Sequence, residues 1–175
     1  MITADAISHN AQSTTDIPKN RHSLQGAEPS VFADIYREEI NIVTWKRSLS
    51  ESLRLSASEL VISNPTFKAA MTVSPQSVFS SIRDALGSDE RTELAENIAE
   101  LVDMYCCLFD LKRAGLRLTA LNSAMCPKFH VDGVPCRLVT TYQGVATQWL
   151  PHQAVDRSKL GAGSHGIADN KSGLY

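Results

Sequence analysis

DERTELAENIAELVDMYCCLFDLKRAGLRLTALN, residues 89–122, decides the class of fold, because its apolar period changes part-way along. Leu94, Ile98, Leu101, Tyr105 and Leu108 recur every three or four residues, the spacing that lines one face of an α-helix. The spacing predicts a single helix over 89–114 with that stripe turned to the core, preceded by Ser88, opened by the acidic Asp89 and Glu90 and stopped by Gly115. From Leu116 the side chains alternate between apolar and polar, as they do on a strand whose successive residues point to opposite faces.

Upstream, a second helix is expected behind Ser74 and Pro75, with Val78, Phe79, Ile82 and Leu86 as its stripe and Gly87 as its stop. Leu49, Leu53, Leu55 and Leu60 partly match helical spacing over 47–60. VFADIY (31–36) and INIVTW (40–45) are rich in β-branched and aromatic residues and are expected as short strands, the second able to run on into a helix. Downstream, KFHVD (128–132), CRLVTTY (136–142) and ATQWL (146–150) repeat the alternation of 116–122, each bounded by Gly, Pro or Asn. Four consecutive short strands imply an antiparallel unit. The fold class expected is therefore α+β, a helical N-terminal half packed on an antiparallel β unit.

A chain of 175 residues with 43% hydrophobic content supports one ordinary core. Residues 1–28 hold no aromatic side chain and are expected as a disordered tail, and 161–175 as a flexible one, leaving a single domain over 29–160. The balance of 17 basic against 19 acidic residues supplies no broad footprint for nucleic acid or an anionic membrane. No apolar run is long enough to cross a bilayer and the N-terminus has no secretion signal, so a cytoplasmic protein is expected. Cys106 and Cys107 are adjacent within a helical pattern and are expected as buried thiols; Cys126 and Cys136 are expected to stay reduced.

Chemistry concentrates between Cys126 and Pro151. His130 and Asp132, two residues apart on an expected strand, project from one face, and an imidazole beside a carboxylate suits a divalent ion such as iron or zinc. A plain turn at Asp132 and Gly133, with His130 as an ordinary strand residue, is the alternative reading. Cys126, His130, Asp132 and Cys136 also resemble a four-ligand zinc set, but on one extended strand Cys126 and Asp132 stand about 20 Å apart, too far to share an ion. No phosphate-binding loop, dinucleotide fingerprint or nucleophile elbow is present.

The run PKFHVDGVPCRLVTTYQGVATQWL, residues 127–150, with Val155, Asp156 and Arg157 beyond it, resembles the bacterial family known as domain of unknown function 1826, over roughly residues 126–160. The family's usual Gly-Pro-Gly-Thr turn is Gly144, Val145, Ala146, Thr147 here, and the family's further C-terminal strands, with a late His-containing segment, are expected to be missing. The resemblance implies an incomplete cupin-like double-stranded β-helix and a metal site of the iron(II) oxygenase kind. It also implies a link to zinc homeostasis through a metal-chaperone GTPase partner, and a non-catalytic metal-handling or protein-interaction domain is the alternative to the oxygenase-like reading. His130 and Asp132 carry over as ligands, and Arg137 and Tyr142 as groups behind the metal or facing a substrate. With only two ligands on one strand, a third would have to be His152 or His165, but both lie in loop-like, polar surroundings where a surface histidine is the default and neither is held on a rigid element. The open sheet edge left by missing strands invites a homo-oligomer.

Overall fold

A computed structural model describes residues 2–5, 21–87 and 89–175 of the chain. The described elements are β1 (Ile2–Asp5), β2 (His22–Gly26), β3 (Ile40–Trp45), α1 (Glu51–Ser63), β4 (Lys68–Val73), α2 (Val78–Leu86), α3 (Thr92–Leu108), β5 (Ala114–Thr119), β6 (Arg137–Thr140) and α4 (Asp169–Ser172), joined by 3-10 turns. The fold is α+β. The chain divides into two compact units. Residues 2–5, 49–87, 89–124 and 134–147 make the first, and 21–48, 125–133 and 148–175 make the second.

The first unit is a four-stranded antiparallel sheet in the order β4-β5-β1-β6, with α1, α2 and α3 supplying the rest of its core. Met71 lies opposite Leu116 and Val73 opposite Ala114, so one face of the β4–β5 pair carries the apolar side chains and the other carries Lys68, Ala70, Thr72 and Arg117. Onto the apolar face pack Val78, Ile82 and Leu86 of α2 and Leu94, Ile98, Val102 and Tyr105 of α3. The α3 stripe matches the expected one and is wider, since Ala95, Val102 and Cys106 are buried too, whereas Leu108 is half-buried. Ser50 caps α1 by accepting from the Leu53 N–H at 3.1 Å and donates its own hydroxyl to Glu93 at the start of α3. Those hydroxyl contacts from Ser50 and Ser52 hold the Glu93 carboxyl below its ordinary range. Arg91 donates to the Leu86 carbonyl and, at 2.9 Å, to Ser63 Oγ, tying the ends of α1 and α2 together.

The helix expected over 89–114 is shorter at both ends: Asp89–Arg91 is a 3-10 turn, and the stop is Asp110 rather than Gly115, which lies inside β5. Asp110 adopts φ 49°, the left-handed conformation of a helix C-terminus, and the Leu111 N–H reaches back to the Cys106 carbonyl at 2.8 Å. A residue with a β-carbon loses about 1–2 kcal/mol in that conformation, and a carboxylate at the negative end of a helix adds repulsion. Asp110→Gly is expected to stabilise the protein by about 1 kcal/mol in urea unfolding. A loss instead would assign the carboxylate a structural role.

Several expectations change. VFADIY is not a strand: Pro29–Tyr36 is a 3-10 turn, because Val31, Phe32 and Ile35 fit helical spacing and Pro29 favours a helical start. It carries the crossover between β2 and β3, which pair in parallel; a β-carbon on Gly26 would sit 2.8 Å from Val31, so this close approach needs glycine. α2 starts three residues later than Ser74 predicted, behind Ser77, and ends as expected at Gly87 with φ 66°. β4 was not expected, since its first half, Lys68, Ala69 and Ala70, is written in residues of low strand preference. KFHVD and ATQWL form no strand, and only 114–119 and 137–140 of the four expected segments do.

Of the expected N-terminal tail, residue 1 and residues 6–20 lie outside the described residues, whereas Ile2–Asp5 and His22–Gly26 are strands. β1 is laddered on both sides, to β5 and to β6, so backbone hydrogen bonds order a stretch that composition alone would leave loose. The C-terminal stretch is also structured: Gly161–Ser164 and α4 are helical turns, and Leu174 is 1% exposed. A double-stranded β-helix needs two antiparallel sheets face to face; the described residues hold one antiparallel sheet and, separately, the parallel β2–β3 pair.

Candidate metal centre

His130 and Asp132 sit on irregular backbone of the second unit, between Pro127 and the Gly133–Pro135 bend. The segment does not ladder because its polar groups are committed elsewhere. The Phe129 N–H donates to Asp169 Oδ2 at 2.6 Å, and the Lys128 ammonium donates to Ser164 Oγ at 3.0 Å and to the Ile167 carbonyl at 3.1 Å. The Phe129 ring meets Tyr175 edge-on, centroids 5.8 Å apart. Residues expected as a flexible tail are thus the ones that hold the segment carrying the pair.

The Lys128 carbonyl lies 2.9 Å from His130 Nδ1. A carbonyl only accepts, so Nδ1 carries the proton of that contact, and in the neutral ring Nε2 is left with the lone pair. Nε2 stands 3.3 Å from Asp132 Oδ1. A lone pair aimed at a carboxylate oxygen is repulsive unless a proton or a cation lies between them. Two ligands at about 2.0–2.1 Å from a tetrahedral ion stand about 3.3–3.4 Å apart, so the pair has the separation of two neighbouring zinc ligands. A backbone carbonyl on the other ring nitrogen is the usual support for a metal-bound imidazole. The donor set and spacing fit a divalent ion.

The remaining sequence-derived candidates do not join the pair. Among the described residues no three His, Cys, Asp or Glu side chains converge on one point. The four-ligand set with Cys126 and Cys136 is therefore not assembled, and all four thiols are free. Burial pushes the Cys136 thiol up, and the Arg137 N–H only partly offsets this, so it stays protonated near neutrality. Cys107 is exposed, contrary to expectation, while Cys106 is buried. His152 Nδ1 accepts from Arg157 at 2.9 Å, and His165 sits at φ 47° in its glycine-rich turn. Tyr142 belongs to the first unit, where its hydroxyl donates to Asn97 Oδ1 at 2.7 Å and its ring packs on the core. Arg137 opens β6 in the same unit, in register with Asp5. The pair itself is partly open to solvent, with side-chain exposures of 44% for His130 and 34% for Asp132.

A family model described as "Protein of unknown function (DUF1826)" matches residues 26–173, well beyond the 126–160 run that carries the resemblance. The chain belongs to this family. The match takes in β3 to α4, and so the helical scaffold and the HxD segment together with Ser164, Ile167 and Asp169, which hold it. No curated protein and no solved structure matches the chain. No helix among the described residues is long and apolar enough to cross a membrane.

Sequence reasoning missed Lys128 and Asp169, which brace the pair. Their signal is weak: Asp169 is one acid among polar residues, and only the fold brings it to Phe129 across 40 positions.

Proposed function

We propose that this protein is a non-catalytic metal-handling domain that takes up a divalent transition-metal ion, zinc or iron(II), through His130 and Asp132. The observation that supports it is the contact between the Lys128 carbonyl and His130 Nδ1, which turns the Nε2 lone pair onto a carboxylate oxygen at a ligand's spacing. Two protein ligands leave the other coordination positions to water or to a partner's side chains, which suits an ion that is passed on. A metal-chaperone GTPase, implied by the family resemblance together with zinc homeostasis, is the partner this reading names. The oxygenase reading needs a third protein ligand to complete a facial triad, and a cupin-like barrel would mount the ligands on facing strands. His130 and Asp132 lie on one irregular segment, which favours the carrier.

The test combines metal content with oxygen uptake, using protein prepared under reducing conditions and titrated anaerobically with zinc or iron(II). One equivalent should bind reversibly, and the iron(II) form should consume no oxygen beyond the free ion's rate. Absence of stoichiometric binding would sink the proposal, and sustained oxygen uptake by the iron(II) form would replace it with the oxygenase.

A further inference from the structure

We propose that Arg21, His22, His152 and Arg157, in the second unit, form a binding site for an oxyanion of the phosphate class, separate from the metal pair. Arg157 Nη2 lies 2.9 Å from His152 Nδ1. A guanidinium only donates, so Nδ1 accepts and the His152 proton is on Nε2. Gln153 Nε2 donates to the Arg21 carbonyl at 3.1 Å, which settles which end of that amide is nitrogen, and the same nitrogen reaches His22 Nδ1 at 3.4 Å. His22 Nδ1 is therefore also the acceptor, and its proton is on Nε2 as well. Residues 152–157 thus meet residues 21 and 22, which puts two imidazoles with Nε2 protons and the Arg157 guanidinium in one region, and Arg21 acts electrostatically on His152 there as well.

The charge around this cluster is one-sided. His152 is held below its ordinary range by partial burial, then by Arg157, Arg21 and His22, with no acidic group acting on it. Two carboxylates are nearby and both are occupied: Glu39, which feels His22, pairs with Arg37, and Asp156 accepts from the Ser158 N–H and hydroxyl and pairs with Lys159. Neither Arg21 nor Arg157 has a carboxylate partner among the described residues, and Arg21 Nε is buried without a hydrogen-bond partner there. A buried donor left unpaired is unfavourable and normally finds an acceptor. A planar carboxylate is satisfied by the fork of one guanidinium, whereas separate donors from two guanidinium groups and two imidazoles match the several oxygens of a tetrahedral anion.

The experiment titrates metal-free protein, in low salt, with inorganic phosphate, glycerol phosphate and acetate. Binding is followed by calorimetry and by the imidazole C–H resonances of His22 and His152. Saturable one-to-one phosphate binding is expected, with both histidines shifting and the His152 titration moving upward. Arg157→Gln and Arg21→Gln should each weaken it at least about tenfold, the cost of a charge-assisted hydrogen bond, while circular dichroism is unchanged. Arg54→Gln, on the exposed side of α1, and His130→Ala should bind phosphate as the parent does. Glycerol phosphate binding more tightly than phosphate would support a phosphorylated molecule as the source, and the reverse would support the free ion. No saturable binding, undiminished binding by both arginine variants, or acetate binding as tightly as phosphate would overturn the proposal.

Discussion

Truncating Tyr105 to alanine is expected to cost about 3–5 kcal/mol of stability, the range for removing a buried aromatic side chain from a packed core. Tyr105 is 1% exposed, meets the Phe109 ring edge-on at 5.0 Å between centroids, and donates its hydroxyl to the Cys136 carbonyl at 2.9 Å. It therefore joins α3 to the chain entering β6, two parts of the first unit 31 positions apart. Domains of this size are commonly stable by about 5–15 kcal/mol, so the loss would consume a large share of the total. Tyr105→Phe separates the two contributions, since it keeps the ring and removes the donor, and should cost about 0.5–1.5 kcal/mol. Urea unfolding of the two variants beside the parent is the measurement. A loss below about 1 kcal/mol for the alanine variant would mean that the ring is not part of the core.

Replacing His130 by alanine should lower zinc affinity by at least about 100-fold, since even a change behind a ligand typically costs 10–100-fold. Asp132→Asn removes the charge but keeps the shape, and about 10–100-fold is expected for it. Far-UV circular dichroism should be unchanged in both, because α1, α2 and α3 are built in the first unit and the pair lies in the second. His152→Ala and His165→Ala should leave the affinity where it was. Loss of binding in either would identify a third ligand and end the two-ligand reading. Asp169→Ala gives a check on positioning: without the acceptor for the Phe129 N–H the segment loosens, and affinity should fall while Asp169→Asn, which still offers an oxygen, restores most of it.

The sequence by itself determined the features whose causes lie within a few residues. The three-and-four spacing of Leu94, Ile98, Leu101 and Tyr105 specified α3 because helical neighbours are one turn apart, and the stop at Gly87 followed from its freedom at φ 66°. The closeness of His130 and Asp132 was legible for the same reason, although the strand expected beneath them was not formed. A left-handed Asp110 was not legible, since that conformation is the exception for a residue with a β-carbon. Tertiary structure decided everything that joins distant residues: β1 inserted between β5 and β6, the parallel pairing of β2 with β3, the hold of Lys128 and Asp169 on the HxD segment, and the meeting of Gln153 with Arg21 and His22. Strand alternation states only that one face is buried, not which strand lies alongside, and a polar side chain in a loop carries no mark of its partner. Those choices are made by the whole chain at once, because a buried backbone or charged group must be paired somewhere and only the folded arrangement determines where.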